Sequence, residues 1–249
     1  MLSNNVTVDK ILKGKISIIQ LKKGFRYGFD TVFLAAFVNG YLKKVKKKKF
    51  SLVDVGSGVG TISLIIAYMN EEINITAIEN NDSYIEIANE NIVRNNFQEK
   101  INLMKEDIFD FDNNLINRFD IVVTNPPFYD LQQQKSENEL ENYATRIINY
   151  ESWIENSVKL LKDKGIIFLI IPTRLLEKSL KFLGKKTGSF KIFPIWPNQK
   201  KSSKRLILLA KKGGASPTEL MSGMRLLNNQ GKVTRKARTY SNNGIFNFL

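Results

Sequence analysis

The segment DVGSGVG, residues 54–60, sets a carboxylate and three glycines between a short apolar run and a helix-like pattern. Asp54, Gly56, Ser57, Gly58 and Gly60 can form a tight turn whose backbone meets a ligand with no Cβ in the way. Glu79 ends the next apolar run, 19 residues after Gly60, where a carboxylate can accept both hydroxyls of a ribose. Asp107 closes a third run, where it can accept from an exocyclic adenine amine. A glycine-rich loop alone is a weak signal. Three strand-end acids in order with it are a strong one, because open α/β sheets bind ligands at that edge. Each acid has a structural alternative: Asp54 can cap a turn, Glu79 can be an exposed strand end, and Asp107 adjoins Glu106. Thr61 stands where the dinucleotide pattern G-x-G-x-x-G needs its third glycine, which speaks against a nicotinamide dehydrogenase.

A second constellation lies at DIVVTNPPFYD, residues 120–130. Here an apolar strand runs straight into Asn125, Pro126, Pro127, Phe128 and Tyr129. Two consecutive prolines donate no ladder hydrogen bonds and hold a fixed bend, so strand pairing stops there. A plain turn explains the prolines. It does not so easily explain a carboxamide on one side and two rings on the other.

These residues need elements to hold them. Apolar runs at 50–55, 73–80, 101–107, 119–125 and 165–172 read as strands. Helical spacing follows the glycine loop and recurs over 81–96, with Asp82 or Ser83 as cap, and over 142–162 and 173–186. Runs 190–196 and 204–212 lie close enough to pair antiparallel. Alternating strands and helices imply a doubly wound, mainly parallel α/β sheet covered on both faces. Residues 131–140, a polar segment, read as a mobile flap and 213–249 as a basic tail with little apolar periodicity. The organisation is then an N-terminal extension over 1–45, a core over 46–212 and the tail.

The chain has 249 residues and neither histidine nor cysteine. Serine–histidine catalysis, thiol chemistry and most transition-metal sites are excluded, so no metal is expected. No run is long enough to span a bilayer, and the N-terminus lacks a signal-peptide pattern, so a cytoplasmic chain is expected. Charge is segregated: residues 1–50 carry net +10, residues 51–157 net −13 and residues 158–249 net +17. Basic ends around an acidic middle fit a polyanionic partner, whose phosphates clustered Lys/Arg would neutralise. Candidate contacts are the runs at 43–49, 185–191, 200–205 and 235–238.

The loop, the acids and the closing strand pair resemble the class I S-adenosylmethionine-dependent methyltransferases, over about residues 50–212. The resemblance implies a seven-stranded Rossmann-like sheet and S-adenosyl-L-methionine as cofactor. Asp54 and the Gly56–Gly60 loop would border its methionine moiety, Glu79 its ribose and Asp107 its adenine. NPPF is similar to the [DNS]-P-P-[FYW] motif of amino-methyltransferases acting on adenine N6, guanine N2 or glutamine amides. An exocyclic amine is a poor nucleophile because its lone pair is delocalised. Two acceptors on its N–H groups, the Asn125 side-chain oxygen and the Pro126 carbonyl, would favour a tetrahedral nitrogen. Pro126 and Pro127 would keep them aimed while Phe128 stacks on the base, which is catalysis by positioning. Tyr129 either helps hold the base or packs structurally.

An N-terminal strand pair followed by GFRYGFDTVFLAAF, residues 24–37, resembles the bacterial family that methylates adenine N6 at position 37 of a valine tRNA. That resemblance places Asp30 and Thr31 over the cofactor site and implies tRNA as partner. An anticodon-loop adenine is already partly unstacked, which lowers the cost of extruding it. Ribosomal guanine N2 and a protein glutamine remain alternative targets. About 50 residues before the glycine loop leave little room for the helical domain of the protein-glutamine enzymes. A non-catalytic RNA-binding scaffold is the reading from another class.

Overall fold

The computed structural model describes residues 5–22, 26–45, 49–127 and 150–246. Phe128, Tyr129 and the expected flap at 131–140 lie outside them. The hairpin β1 (Val6–Ile11) and β2 (Ile16–Leu21) precedes α1 (Phe29–Lys44). There follow β3 (Phe50–Val55), α2 (Thr61–Met69), β4 (Ile73–Glu79), α3 (Asp82–Arg94), β5 (Ile101–Lys105) and β6 (Phe119–Thr124). Next come α4 (Tyr150–Leu160), β7 (Leu161–Pro172), α5 (Leu176–Leu183), β8 (Thr187–Trp196) and β9 (Arg205–Lys212). The short β10 (Glu219–Leu220) and β11 (Met224–Arg225) and the helix α6 (Arg235–Asn243) complete the order.

Side-chain parity along the strands builds two cores. Leu52, Ile121, Val123, Phe168 and Ile170 face the side covered by α1, α2 and α3. Val53, Val55, Val122, Ile167 and Leu169 face the side covered by α4 and α5. Alternate residues of every central strand are thus apolar on both faces, as a doubly covered sheet requires. The seven long strands run β8-β9-β7-β6-β3-β4-β5. Pairs from β7 through β5 are parallel, while β9 is antiparallel to both neighbours. Strand order reverses between β3 and β6, so a crevice opens at their carboxyl ends. This is the expected sheet, with β10 and β11 added against the outer strand β8.

The N-terminal hairpin is held by two asparagines one turn apart, Asn91 on α3 and Asn95 at its C-cap. Asn91 accepts from the Ile19 amide at 2.7 Å and donates to the carbonyls of Ile19 and Val59, both at 2.9 Å. Asn95 accepts from the Ser17 amide at 3.0 Å and donates to its carbonyl at 2.8 Å. Asn91 therefore ties the hairpin to the glycine loop. The cap of α3 is Asn81, whose side chain accepts the Tyr84 amide at 3.2 Å, and not Asp82 or Ser83. The helix expected through 162 stops at Leu160, where β7 begins.

Residues 213–246 do not trail from the domain as a tail. The Phe246 amide donates to the Ala36 carbonyl at 2.9 Å, and Asn39 donates to the Gly244 carbonyl at 2.7 Å. The Phe246 ring is buried, stacked on Tyr240 at 4.0 Å and edge-on to Phe33, Phe37 and Phe193. This segment closes the open face of α1, which is apolar nearly all round and must be buried on more than one side.

Candidate active site

At the crevice the strand ends and residues 26–31 enclose a cavity of about 790 Å³, within the range of small-molecule sites. Its floor is the glycine loop. Gly56, Gly58 and Gly60 have φ of +68°, +56° and +83°, the left-handed region that side chains avoid. The amides of Gly56 and Ser57 both donate to the Ile78 carbonyl at 3.0 Å, stitching the loop to β4. A Cβ on Gly58 would meet nothing within 4 Å, so that position faces open cavity.

Glu79 ends β4 with both oxygens aimed. Oε2 accepts the Gly58 amide at 2.8 Å, and Oε1 accepts the amides of Asn80 and Asn81, each at 3.0 Å. Three of the carboxylate's roughly four lone-pair sites are thus used, and Oε2 keeps one for a hydroxyl donor. Asp107 lies two residues beyond β5. Its Oδ1 accepts the Phe109 amide at 2.9 Å and its Oδ2 accepts the Asn80 side chain at 3.2 Å. The Asn80 carboxamide thus links the two acid-bearing strand ends.

Gly56, Gly58, Glu79 and Asp107 share the cavity wall with Asp30 and Thr31. Asn125, Pro126 and Pro127 open into the same space from the end of β6. Asp54, Ser57 and Gly60 do not line it. Parity explains Asp54: it shares its sheet face with Leu52, toward α2. Its Oδ2 accepts the Ser63 amide at 3.2 Å and the Ser63 hydroxyl at 2.7 Å. The carboxyl is fully buried, and that burial pushes it up to about 7 against the Ser63 hydrogen bonds, with the Glu79 charge adding to the rise. Asp54 holds the start of α2 under the loop and is not part of the cavity wall, while its Oδ1 is buried with no partner among the described residues.

The buried hydroxyls of Thr31 and Ser57 have no hydrogen-bond partner among the described residues. Buried polar atoms are seldom left so. Thr31 belongs to the cavity wall, and its hydroxyl lies covered just behind that wall. With the open glycine loop and two aimed carboxylates, these residues fit an adenosyl cofactor carrying a short polar arm.

Several lining residues carried no readable signal. Trp153 on α4 donates to the Thr124 hydroxyl at 3.1 Å, and that hydroxyl donates to the Val55 carbonyl at 2.9 Å. Phe109 meets Trp153 edge-on at 5.9 Å. In the sequence Trp153 sits on an apolar helical stripe and reads as ordinary core. Arg205 was within reach of inference: a strand antiparallel to the rest begins at the edge where the others end. It opens β9, and its Nε donates to Asp30 Oδ2 at 2.7 Å.

The pattern of the methyltransferase small domain family matches residues 39–193. The chain belongs to that family. Among curated relatives, a Flavobacteriaceae bacterium protein named tRNA1(Val) (adenine(37)-N6)-methyltransferase is 28% identical over 201 residues, covering 78% of this chain and 80% of the relative. A protein of the same name from Actinobacillus pleuropneumoniae is 26% identical, covering 68% and 71%. Among solved structures, an Agrobacterium tumefaciens protein described as a "predicted O-methyltransferase" superposes with a TM-score of 0.70 at 19% identity, covering 88% of this chain and 98% of that one. The Thermus thermophilus 16S rRNA N2 G1207 methyltransferase, in complex with AdoMet and guanosine, gives 0.61 at 19% identity, covering 83% and 50%. The matched range includes the glycine loop, Glu79, Asp107 and the Asn125–Pro127 strand end. Among the described residues no helix is long and apolar enough to cross a membrane.

Proposed function

We propose that this chain transfers a methyl group from S-adenosyl-L-methionine to the exocyclic N6 of an adenine in tRNA, at position 37 of a valine tRNA. One observation carries the reading. Asn125 and Pro126, the acceptor pair for an amine, open into the cavity that also holds Glu79, Asp107 and the glycine loop. Cofactor and target thereby share one chamber. The names of the curated relatives support the choice of tRNA and of position 37.

Bound cofactor supplies an electrophilic methyl on a sulfonium. Glu79 accepts from the ribose, Asp107 accepts from the adenine amine, and the Gly56–Gly58 backbone admits the arm. On the other side the Asn125 oxygen and the Pro126 carbonyl accept the two N–H groups of the target amine. They hold its lone pair toward the methyl, as preorganised acceptors that need not reorient during reaction. No general base is needed to begin, which suits a chain without histidine or cysteine: as the S–CH3 bond breaks and the N–CH3 bond forms, the positive charge passes to the nitrogen, whose surplus proton then leaves to solvent. Phe128 supplies the stacking face in this reading, and Asp30 and Thr31 close the chamber from the N-terminal side.

The test is transfer of labelled methyl to bulk tRNA lacking its modifications, followed by nuclease digestion. N6-methyladenosine in one tRNA species is the expected product. Label in ribosomal RNA or in protein would keep the Asn125 chemistry and overturn the tRNA assignment. Cofactor binding with no transfer to any of these would leave the non-catalytic scaffold.

A further inference from the structure

Glu79, Glu106 and Asp107 line the cavity under β4 and β5; Arg26 and Arg205 also line it, each paired with a carboxylate, Asp9 and Asp30 respectively. Arg26 is spent on the hairpin: it donates to Thr7 at 2.9 Å, to the Leu21 carbonyl at 2.8 Å and to Asp9 at 2.9 Å. Arg205 is held differently. Its Nε donates to Asp30 and its Nη1 to the Lys204 carbonyl at 3.2 Å, while no described residue engages Nη2. Asp30 thus fixes the inner edge of the guanidinium and leaves an outer edge for a ligand.

Its place in the sheet says which ligand. From β3, which carries the glycine loop, the order is β6, β7, β9. Arg205 therefore lies beyond Asn125 from the cofactor loop, two strand spacings or about 10 Å from β6. Thr124 pairs with Leu169, Leu169 with Leu208 and Pro172 with Arg205, so Arg205 overhangs the carboxyl edge further than Asn125 does. It is about two-fifths exposed, and the turn leading to it carries the exposed Lys200, Lys201 and Lys204.

We infer that Arg205, braced by Asp30, binds the backbone phosphate of the nucleotide whose base enters the chamber. The inference rests on the RNA reading above. A nucleotide with its base at Asn125 leaves its phosphate at the chamber mouth, away from the acids under β4 and β5. A guanidinium held at Nε and Nη1 presents its Nη2 donors to phosphate at small entropic cost. Asp30 is then a positioning residue acting through Arg205 and not a cofactor contact.

The experiment compares Arg205→Gln, Arg205→Lys and Asp30→Asn with the wild type. The readouts are KM for unmodified tRNA at several salt concentrations, Kd for S-adenosylmethionine and thermal midpoint. Lys164→Gln, which removes one exposed charge near the amino end of β7, is the control. Arg205→Gln is expected to raise KM for tRNA roughly tenfold and to reduce the salt slope by about one, with cofactor Kd within twofold. Arg205→Lys should keep the slope with a smaller rise, and Asp30→Asn should raise KM with the slope intact. Unchanged tRNA KM in Arg205→Gln, or a raised cofactor Kd with normal tRNA KM, overturns the phosphate assignment. A shift equal to that of Lys164→Gln overturns it too, since it would reflect net charge alone. An active wild type separates these results from failure of the RNA reading; a wild type that transfers no methyl to RNA removes both.

Discussion

The ring of Trp153 closes over Gly56: a Cβ there would lie 2.8 Å from Cη2, whereas a Cβ on Gly58 would meet nothing within 4 Å. Both glycines have positive φ, yet substitution should separate them. Gly56→Ala adds overpacking to backbone strain and should destabilise by about 2–4 kcal/mol, read as a lowered thermal midpoint. Gly58→Leu incurs only the strain, about 1–2 kcal/mol, but projects into the cavity and should weaken S-adenosylmethionine at least about tenfold in calorimetry. Unchanged cofactor affinity in Gly58→Leu would sink the loop assignment.

Asp54 makes stability depend on pH. Its folded carboxyl titrates near 7, above the ordinary 3.8. Between those values the folded chain binds more protons than the unfolded one. Stability from this group is therefore full at the acid end and is lost as pH rises through about 7. Asp54→Asn should remove that loss. Thermal melting at about pH 5 and pH 8 should show the wild type falling relative to the variant; parallel behaviour would mean the carboxyl is ionised throughout.

The C-terminal segment should be required for the fold. Phe246 fills a ring cluster with Phe33, Phe37, Phe193 and Tyr240, so Phe246→Ala should cost about 3–5 kcal/mol in urea unfolding. A loss under about 1 kcal/mol would mean the segment rests on the domain without supporting it.

The sheet was legible because its strands are apolar on both faces and separated by glycine and acid signals, as at Val55–Gly60 and Glu79–Asp82. Glu79, Asp107 and Asn125 were legible for the same reason, each standing where a strand stops. The direction of Asp54 was not legible because a strand-end position does not by itself state which way the side chain points; parity with Leu52 supplies it. The segment after 212 was hidden because its anchors, from Met224 to Phe246, follow no period and pack through long-range contacts. Trp153 was hidden because a core stripe and a cavity wall look alike on a helix.

The most direct test of the central claim is methyl transfer to an unmodified valine tRNA by the wild type and by Asn125→Ala at saturating S-adenosylmethionine, with the product position mapped. The account predicts N6-methyladenosine at position 37 from the wild type. From Asn125→Ala it predicts a rate lower by roughly 10²–10³-fold with cofactor affinity unchanged. Full transfer by Asn125→Ala would contradict the acceptor mechanism, and methylation at another base would contradict the assigned target.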